Sequence, residues 1–444
     1  MDVLLPSDVF PPGHVGGAAW SAYTLARALI ERGHRVTALV PYQVRQRRAE
    51  GLVADTSGAV PTLRYGYRAP SWPIIQNYYR HERLWQPLAA VLLEQGRQAQ
   101  AQGHRLLIHA QHVQTAPAAV MAGQRLGVPV VVTVRDHWPW DYFATGLHGN
   151  QLPYEQRAGR RWAALCTDLP GRLGPLQGSL ACLAVPWMLA HLQRRQLWLA
   201  QATMVLAVSQ YIATRLVSVL PQTPITVLPN MVDRALVQQI AVTPPTHLPE
   251  GPFLLYVGKL EKNKGADLLV PTLAALADRH QQEIAAGRTP ELPVRNLVII
   301  GNGSLQLWLR AELERLVGKG LDLRLAFLNW VDHDDVLRFL ARCAVLLFPS
   351  GWGEPLSRVL LEASSLGVPI VAMPTGGTPE VVIDGETGRL GHTPAQLAQH
   401  LWCLLQNPEE RKRLGQNAQL MARQRFAADV VGKQIEDLYY SLAF

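Results

Sequence analysis

Cysteine is scarce in this chain of 444 residues, and its four copies lie far apart in the sequence. They show none of the close spacings that a zinc site or a redox pair requires, so we expect reduced thiols in a cytoplasmic chain. Charged residues are also few, at 17%, whereas 48% of the residues are apolar. This composition excludes a disordered or coiled-coil protein, and the length favours two domains of roughly 200 residues each.

Long apolar runs are lacking as well. The longest, Leu180 to Ala190, falls well short of the roughly 20 residues that cross a bilayer. Continued to Leu199, the segment adds two arginines and a second tryptophan, so a helix lying on a membrane surface and a buried helix both remain open. The net charge of +8 is dispersed, and no aromatic-basic motif indicates nucleic acid. Such a charge suits anionic lipid or phosphorylated small molecules equally well.

Three common catalytic and nucleotide-binding motifs are missing. The sequence contains no G-x-x-x-x-G-K-[ST], which excludes a P-loop ATPase, and no G-x-S-x-G, which excludes a serine hydrolase of that type. Gly301-Asn302-Gly303 begins like a dinucleotide-binding motif, but Gln306 stands where the third glycine belongs. A nicotinamide-binding protein is therefore disfavoured.

What the sequence does contain is an alternation of strand and helix patterns. Val3–Pro6, a helical pattern from Trp20 to Arg32, and Val36–Val40 before Pro41, which we expect to end the strand, form a βαβ unit. A second series begins at Phe253, after a proline-rich connector typical of a linker. We therefore predict an α/β protein of two doubly wound domains, with residues 1–235 as the N-terminal domain, 236–252 as a linker and 253–425 as the C-terminal domain.

Two loops after predicted strands could bind phosphate groups. Gly16 and Gly17 directly precede a helix, where backbone N–H groups and the helix dipole favour an anion; the alternative is a plain turn. The loop from Gly258 to Gly265 carries three lysines, Lys259, Lys262 and Lys264. They could neutralise a diphosphate, or they could form a solvated face.

A third loop carries two glutamates. Glu354 precedes a helix predicted over Pro355–Leu366, and Glu362 lies inside that helix among apolar neighbours. A carboxylate there is costly unless it accepts hydrogen bonds, which the hydroxyls of a ribose or another sugar could donate. The alternative is that Glu354 only favours the helix N-terminus and that Glu362 reaches solvent.

An acid and an imidazole follow another predicted strand. In the segment Thr133–Trp140, Asp136 and His137 stand next to each other beside bulky aromatic residues. They could position a substrate hydroxyl or assist its deprotonation. The alternative is a structural aspartate cap with a half-exposed histidine.

These motifs, in this order and spacing, resemble the retaining GT-B glycosyltransferases of family 4, also called glycosyltransferase group 1 proteins. The similarity covers nearly the whole chain: Phe10-Pro11-Pro12, Gly16-Gly17, Gly33–Val36, Thr133–Pro139, Val208-Ser209, Pro229–Asp233, Gly258–Gly265 and Gly301–Gly303. It is strongest in Glu354–Glu362, Gly367–Ala372, Gly376–Val382 and Asp384–Gly388.

The resemblance implies two Rossmann-like domains that face a central cleft, with a last helix at 426–444 crossing back to the N-terminal domain. It implies transfer of a sugar from a nucleoside-diphosphate sugar, of UDP or GDP type, to a hydroxyl of a carbohydrate or glycolipid acceptor, as in polysaccharide synthesis. It further implies retention at the anomeric carbon, no bound metal and no permanently bound cofactor. We expect a cytoplasmic protein without nucleic-acid partners, and peripheral contact with the inner face of the membrane stays open.

The resemblance also implies roles for particular residues. Lys259 and Lys264 match the basic pair on the diphosphate, Glu362 the carboxylate on the nucleotide ribose, and Glu354 the one that holds the donor sugar. The remaining donor-binding residues are Gly16, Gly17, Gly303, Leu356 and Ser357. The residues expected to be catalytic are Glu354, Asp136 and His137.

Two departures from the family pattern leave alternatives open. The family usually has arginine where Lys259 stands, and lysine keeps the charge but not the bidentate fork. It often has histidine where Arg135 stands, and His137 need not replace that histidine. The alternatives are an inactive sugar- or lipid-binding subunit with this fold, and an epimerase or phosphorylase with the same fold.

Overall fold

A computed structural model describes residues 1–12, 16–56, 58–144, 161–288, 294–319 and 322–442 of the chain. Among these, the residues up to Met231 together with Ala428–Leu442 form one compact unit, and Val232–Ala427 form a second. The first is called the N-terminal unit and the second the C-terminal unit.

The described residues of the N-terminal unit form a sheet of eight strands: β1 (Asp2–Pro6), β2 (Arg35–Gln43), β3 (Gly51–Asp55), β4 (Thr62–Tyr67), β5 (Leu106–Ala110), β6 (Val130–Val134), β7 (Met204–Ala207) and β8 (Ile225–Val227). Their order is β3-β4-β2-β1-β5-β6-β7-β8, and all neighbours are parallel except β3 and β4. Strands β1, β5 and β6 are buried along their whole length and rich in valine and leucine, as parallel strands covered on both faces require.

Helices cover this sheet. Those described are α1 (Gly17–Glu31), α2 (Pro73–Arg80), α3 (Glu82–Ala101), α4 (Ala116–Leu126), α5 (Arg161–Leu173), α6 (Pro175–Ala181), α7 (Val185–Leu199) and α8 (Gln210–Val219). In the register of the sheet, Val3 of β1 lies between Val36 of β2 and Leu107 of β5. The first βαβ unit of the prediction is therefore confirmed by β1, α1 and β2.

Pro41 does not end its strand, contrary to our prediction. Strand β2 continues to Gln43, and Pro41 pairs with Tyr65 of β4. The pairing of β1 with β2 stops at Pro6 and Leu39, so β2 has an open edge on that side from residue 40 onward. Proline lacks an N–H group and is tolerated at such an edge because no ladder hydrogen bond is lost there.

The described part of the C-terminal unit contains a parallel sheet of six strands: β9 (Phe253–Val257), β10 (Asn296–Ile300), β11 (Arg324–Leu328), β12 (Val345–Phe348), β13 (Ile370–Ala372) and β14 (Arg389–Leu390). Their order is β11-β10-β9-β12-β13-β14. The helices described around it are α9 (Arg234–Ala241), α10 (Leu269–Ala285), α11 (Gln306–Gly318), α12 (His333–Leu340), α13 (Arg358–Ser365), α14 (Pro394–Gln406) and α15 (Pro408–Arg425). Fully buried apolar residues from β9, β10, α10 and α14 meet in one core.

Two predicted boundaries differ from the structure. Helix α13 begins at Arg358 and not at Pro355, because the carbonyl of Glu354, which a helix starting there would use, accepts a hydrogen bond from the Gly377 amide at 2.7 Å. Residues 236–241 of the predicted linker belong to helix α9. The Asp233 carboxylate caps this helix by accepting a hydrogen bond from the Leu236 backbone amide at 3.0 Å, and the helix belongs to the C-terminal unit.

The last helix, α16 (Ala428–Leu442), belongs to the N-terminal unit. Val431, Ile435 and Tyr439 are buried in the same core as residues of α1 and β1. The Tyr439 hydroxyl lies 2.5 Å from Nδ1 of His109 in β5, and Glu436 pairs with Arg32 and His34. The end of the chain thus completes the core that its first residues begin.

Residues 180–199, for which a membrane-surface helix and a buried helix were both considered, consist of a packed part and an exposed part. Helix α7 is packed, with Val185, Met188 and Leu199 buried. Leu180 and Leu183, which precede α7, are 63% and 82% exposed. Among the described residues, no helix has both the length and the apolar character that a membrane span needs.

Candidate functional site

The candidate loops of the C-terminal unit follow neighbouring strands at one edge of the sheet. The lysine loop follows β9, Gly301–Gly303 follows β10, and the glutamate loop follows β12. Strand β9 pairs with β10 on one side and with β12 on the other, so the strand order switches direction here. In open α/β sheets, ligands bind at such a switch point, beyond the carboxyl ends of the strands.

Lys264 and Glu354 are in direct contact at this edge. The Lys264 Nζ lies 2.7 Å from Oε2 of Glu354 and 4.7 Å from the centroid of the Trp352 ring. The same carboxylate oxygen accepts hydrogen bonds from Nε1 of Trp352 at 2.5 Å and from Oγ of Ser350 at 3.3 Å. These donors provide the buried carboxylate of Glu354 with the hydrogen bonds that it would otherwise lack. No described residue donates to its other oxygen, Oε1, which is available to a ligand hydroxyl.

Two glycines allow the three loops to pack backbone against backbone. Gly265 has a φ of 71°, and a Cβ there would lie 1.9 Å from the carbonyl oxygen of Pro349. A Cβ on Gly303 would lie 2.3 Å from the carbonyl oxygen of Leu260. Any other residue would push the lysine loop away from its neighbours, so these glycines hold Lys264 in place.

Glu362 forms a second cluster in helix α13. Its Oε1 accepts hydrogen bonds from Nε2 of His333 at 2.9 Å and from Nε of Arg358 at 3.0 Å. Burial alone raises the pKa of the Glu362 carboxyl, but the charges and hydrogen bonds of Arg358 and His333 outweigh it and hold the pKa below its usual range. Glu362 therefore stays ionised, and its Oε2 has no donor among the described residues.

The other predicted donor-binding residues of this unit lie on the same loops. Lys259 is exposed, and its carbonyl oxygen accepts a hydrogen bond from the Tyr256 hydroxyl at 3.0 Å. Leu356 is buried, and Ser357 is the N-cap of α13. The first N–H groups of α13 have no partner within the helix, so they can bind an anion.

Sequence analysis missed the partners of both glutamates. Arg358 stands four residues before Glu362, and this helical spacing could have identified the pair. His333 and Ser350 carried no such signal. His333 is 29 positions away from Glu362 and reaches it only through the packing of α12 beside α13.

In the N-terminal unit, Gly16 is the N-cap of α1 and Gly17 its first residue, and both are exposed. The first N–H groups of α1 thus have no partner within the helix, which suits an anion. Among the described residues of the whole chain, no group of three or more His, Cys, Asp or Glu side chains is arranged to hold a metal ion.

Asp136 is part of a chain of three ionisable side chains that follow β1, β5 and β6. His112 lies between two carboxylates, with Nε2 at 2.6 Å from Oδ2 of Asp136 and Nδ1 at 2.9 Å from Oδ2 of Asp8. Burial alone lowers the pKa of His112, but the charges of Asp136 and Asp8 raise it to about 10. His112 is therefore an imidazolium at neutral pH, and sequence analysis missed it although it follows β5 at the same edge of the sheet.

Asp136 and His137, although adjacent, have different surroundings. The second oxygen of Asp136, Oδ1, accepts a hydrogen bond from the Trp138 amide at 2.9 Å, and burial is outweighed by His112 so that the pKa of Asp136 is lowered. His137 is buried, with its ring against Trp140 and Tyr211. Arg135 donates hydrogen bonds to Asn230 and to the carbonyl oxygen of Gln111.

Two family models match the chain. The model described as Glycosyltransferase Family 4 matches residues 15–168, and the model described as Glycosyl transferases group 1 matches residues 243–421. The first match includes Gly16, Gly17 and Asp136, and the second includes Lys264, Glu354 and Glu362.

Known proteins resemble parts or all of the chain. Spore coat protein SA of Bacillus subtilis is 29% identical over 42% of this chain and 48% of its own length. D-inositol 3-phosphate glycosyltransferase of Corynebacterium efficiens is 31% identical over 41% of each chain. This chain therefore spans less than half the length of either relative.

Among solved structures, HepE of Anabaena in complex with UDP superposes with a TM-score of 0.61 over 100% of both chains, at 20% identity. At this identity the likeness concerns the fold. Together with the two sheets described above, it confirms the predicted α/β architecture of two doubly wound domains.

Proposed function

Because the chain belongs to the group 1 glycosyltransferases of family 4, we propose that it transfers a sugar from a nucleoside-diphosphate sugar to an acceptor hydroxyl, with retention and without a metal ion. The observation that carries this proposal is the pair of buried glutamates at the switch point of the C-terminal unit. Each has one oxygen held by protein donors and one oxygen open to a ligand hydroxyl.

The C-terminal unit takes the donor in this proposal. Glu362 accepts the ribose hydroxyls on Oε2, and Glu354 accepts a hydroxyl of the donor sugar on Oε1. Negative charge grows on the diphosphate as its bond to the sugar breaks, so cations there stabilise the transition state more than the ground state. Lys264 and Lys259 supply this charge, while Gly303, Leu356 and Ser357 shape the loops around the nucleotide.

The N-terminal unit takes the acceptor and contributes Gly16, Gly17, Asp136 and His137. The exposed N-terminus of α1 favours the negative charge of the donor diphosphate. Asp136 stays ionised and orients the acceptor hydroxyl by accepting its hydrogen bond. His137, which is buried against two aromatic rings, supports the Asp136 loop and comes into contact with substrate only if that loop moves.

The donor is of UDP type in this proposal, on the support of the HepE structure, which contains UDP. The acceptor is a carbohydrate or a glycolipid intermediate in polysaccharide or glycolipid synthesis. Leu176, Leu180 and Leu183, all exposed and at helical spacing, form an apolar face that we assign to peripheral contact with the cytoplasmic membrane surface. Cosedimentation with anionic vesicles tests this contact, and it should be lost in Leu180→Ser/Leu183→Ser.

Calorimetric titration of the purified protein with UDP, GDP, ADP and CMP, with and without magnesium, tests the donor assignment. We expect UDP to bind in the absence of metal. Glu362→Gln should weaken UDP binding by about tenfold or more, because hydrogen bonds to a charged carboxylate are lost. Glu314→Gln, an exposed glutamate of α11, is the matched control and should bind UDP like the wild type.

The melting temperature of Glu362→Gln is needed beside its affinity, because the change also weakens the pairs with Arg358 and His333. A folded variant that binds UDP as tightly as the control would refute the ribose assignment. Binding of UDP without transfer to any acceptor would support the sugar-binding subunit, and release of free UDP without a glycosylated product would support the epimerase or phosphorylase.

A further inference from the structure

A cavity lies in the N-terminal unit, outside the residues assigned above. Its volume is about 970 Å³, and residues from 43 to 87 line it. Four arginines face it against a single carboxylate, that of Glu50; they are Arg45, Arg47, Arg68 and Arg83. A concave site with this excess of positive charge attracts anions.

Two of these arginines have partners within the protein. Arg68 pairs with Glu50, and the Arg83 guanidinium lies 4.7 Å from the centroid of the Tyr79 ring. Arg45 and Arg47 have no carboxylate partner among the described residues, and both are exposed. Both guanidinium groups can therefore pair with an anionic ligand without first breaking an ion pair among the described residues.

One wall of the cavity is a turn of the backbone that lies directly against the sheet. Arg47 lies in a short 3₁₀ turn, Arg47–Ala49, that packs on β4. Gly66 of β4 makes this possible, since a Cβ there would lie 2.2 Å from the carbonyl oxygen of Ala49. The antiparallel strand β3, which follows this turn, pairs with β4 and closes the same loop.

The cavity opens at the same edge of the sheet as Asp8, His112 and Asp136. Gln43 and Tyr67, which line it, are the last residues of the parallel strands β2 and β4. The Tyr67 hydroxyl accepts a hydrogen bond from the side-chain Nε2 of Gln114 at 3.4 Å. The backbone N–H of Gln114 donates to Oδ2 of Asp8 at 2.8 Å. Asp8 pairs in turn with His112, so one hydrogen-bonded path joins the cavity to Asp136.

Aromatic rings form the remaining wall. Tyr65 and Tyr79 are half-buried, Tyr67 is buried, and all three line the cavity. Sites for small molecules combine aromatic walls with a few charged groups that fix the orientation of the ligand. This lining fits a sugar ring that carries a negative group better than it fits an inorganic ion.

We propose that this cavity binds the anionic part of the acceptor, a phosphate or carboxylate carried on a sugar, while the hydroxyl to be glycosylated lies toward Asp136. The inference rests on the proposed transferase function and names the acceptor class for that function. Arg45 and Arg47 bind the anionic group, and the tyrosines contact the sugar ring.

Calorimetric titration of the full chain with glucose 6-phosphate, glucuronate and glucose tests the proposal. We expect at least one of the two anionic sugars to bind more tightly than glucose. If glucose 6-phosphate is the tighter, the acceptor carries a phosphate; if glucuronate is, it carries a carboxylate. Equal binding of all three sugars, or no binding of any, would overturn the proposal.

Variants then place the binding in this cavity. Arg45→Gln/Arg47→Gln should weaken binding of the preferred anionic sugar by about tenfold or more, since each lost arginine removes a charged hydrogen bond. Arg97→Gln/Arg125→Gln removes the same charge from exposed positions of α3 and α4 and is the matched control. Equal affinities of the two double variants would also overturn the proposal.

Titration with UDP separates this inference from the proposed function. The cavity variant should bind UDP like the wild type, because the nucleotide site lies in the C-terminal unit. Normal UDP binding with no anionic-sugar preference would overturn the acceptor class alone. If the wild type binds none of UDP, GDP, ADP and CMP, the transferase function is overturned instead.

Discussion

Glu354 and Glu362 share one design at the scale of the residue. In each, a single oxygen accepts the hydrogen bonds of all the side-chain donors found among the described residues, and these bonds fix the orientation of the carboxylate. The other oxygen is then preorganised to accept a ligand hydroxyl without further reorganisation. The cost of a buried carboxylate, which made Glu362 conspicuous in the sequence, is offset by Arg358 and His333 and does not require the ligand.

Lys264→Ala tests the leaving-group role. We expect kcat to fall by about 100-fold and the KM for the donor to rise, because the lysine opposes charge that grows as the bond breaks. Steady-state kinetics with the donor sugar measures both constants. Lys262→Ala, an exposed lysine of the same loop, is the control and should change kcat by less than about twofold. Equal effects of the two changes would contradict the assignment.

His112 gives the protein a pH dependence of stability. Its pKa is about 10 in the folded protein and near 6.5 in the unfolded chain. Its pairing with Asp8 and Asp136 therefore stabilises the fold fully below about pH 6.5 and is lost as the pH rises through about 10. Urea unfolding from pH 6 to pH 10 should show a free energy of unfolding that falls with pH.

The variant His112→Gln should remove this fall, while His392→Gln, at an exposed position of the C-terminal unit, should retain it. The slope of the free energy of unfolding against pH is the quantity to compare. A wild-type slope in His112→Gln would show that His112 is not the titrating group.

At the scale of the element, the candidate chemistry lies on the loops that follow the strands and on helix α13, which carries Glu362. The loops meet because parallel strands end at one edge of a sheet. The sequence predicted the first βαβ unit and a helix after Glu354, yet placed the start of α13 three residues early and ended β2 at Pro41. Both differences have tertiary causes, the Gly377–Glu354 hydrogen bond and the open edge of β2.

Gly265→Ala tests the close packing of the lysine loop. The added Cβ would meet the Pro349 carbonyl at 1.9 Å, so we expect a displaced Lys264, lower turnover and a loss of more than about 1 kcal/mol of stability. Gly287→Ala is a matched control, because Gly287 has a φ of 75° but open space around it. The difference between the two variants in melting temperature and kcat isolates the clash from the backbone strain. No difference would mean that the loop tolerates displacement.

At the scale of the whole molecule, the N-terminal unit is discontinuous in sequence, because helix α16 belongs to it together with the first residues of the chain. Deletion of residues 428–444 removes Val431, Ile435 and Tyr439 from the core of the N-terminal unit. We expect a loss of about 5 kcal/mol or more in the free energy of unfolding, at about 1.5–3 kcal/mol for each large apolar side chain. Thermal and urea unfolding measure it.

The exposed face of α16 provides the control for this deletion. Lys433→Ala/Asp437→Ala removes only a solvated pair and should leave stability within about 0.5 kcal/mol of the wild type. A deletion variant as stable as this control would show that α16 contributes little to the core.

The sequence by itself determined the α/β alternation, the glycine and lysine loops and the two glutamates, because each depends on residues close together along the chain. It did not reveal His333 beside Glu362, His112 between Asp8 and Asp136, or the arginine cavity. These groupings join residues tens to more than a hundred positions apart. Only the tertiary structure decided them, because the pairing order of parallel strands selects which loops meet at the sheet edge, and that order is not written in any local pattern.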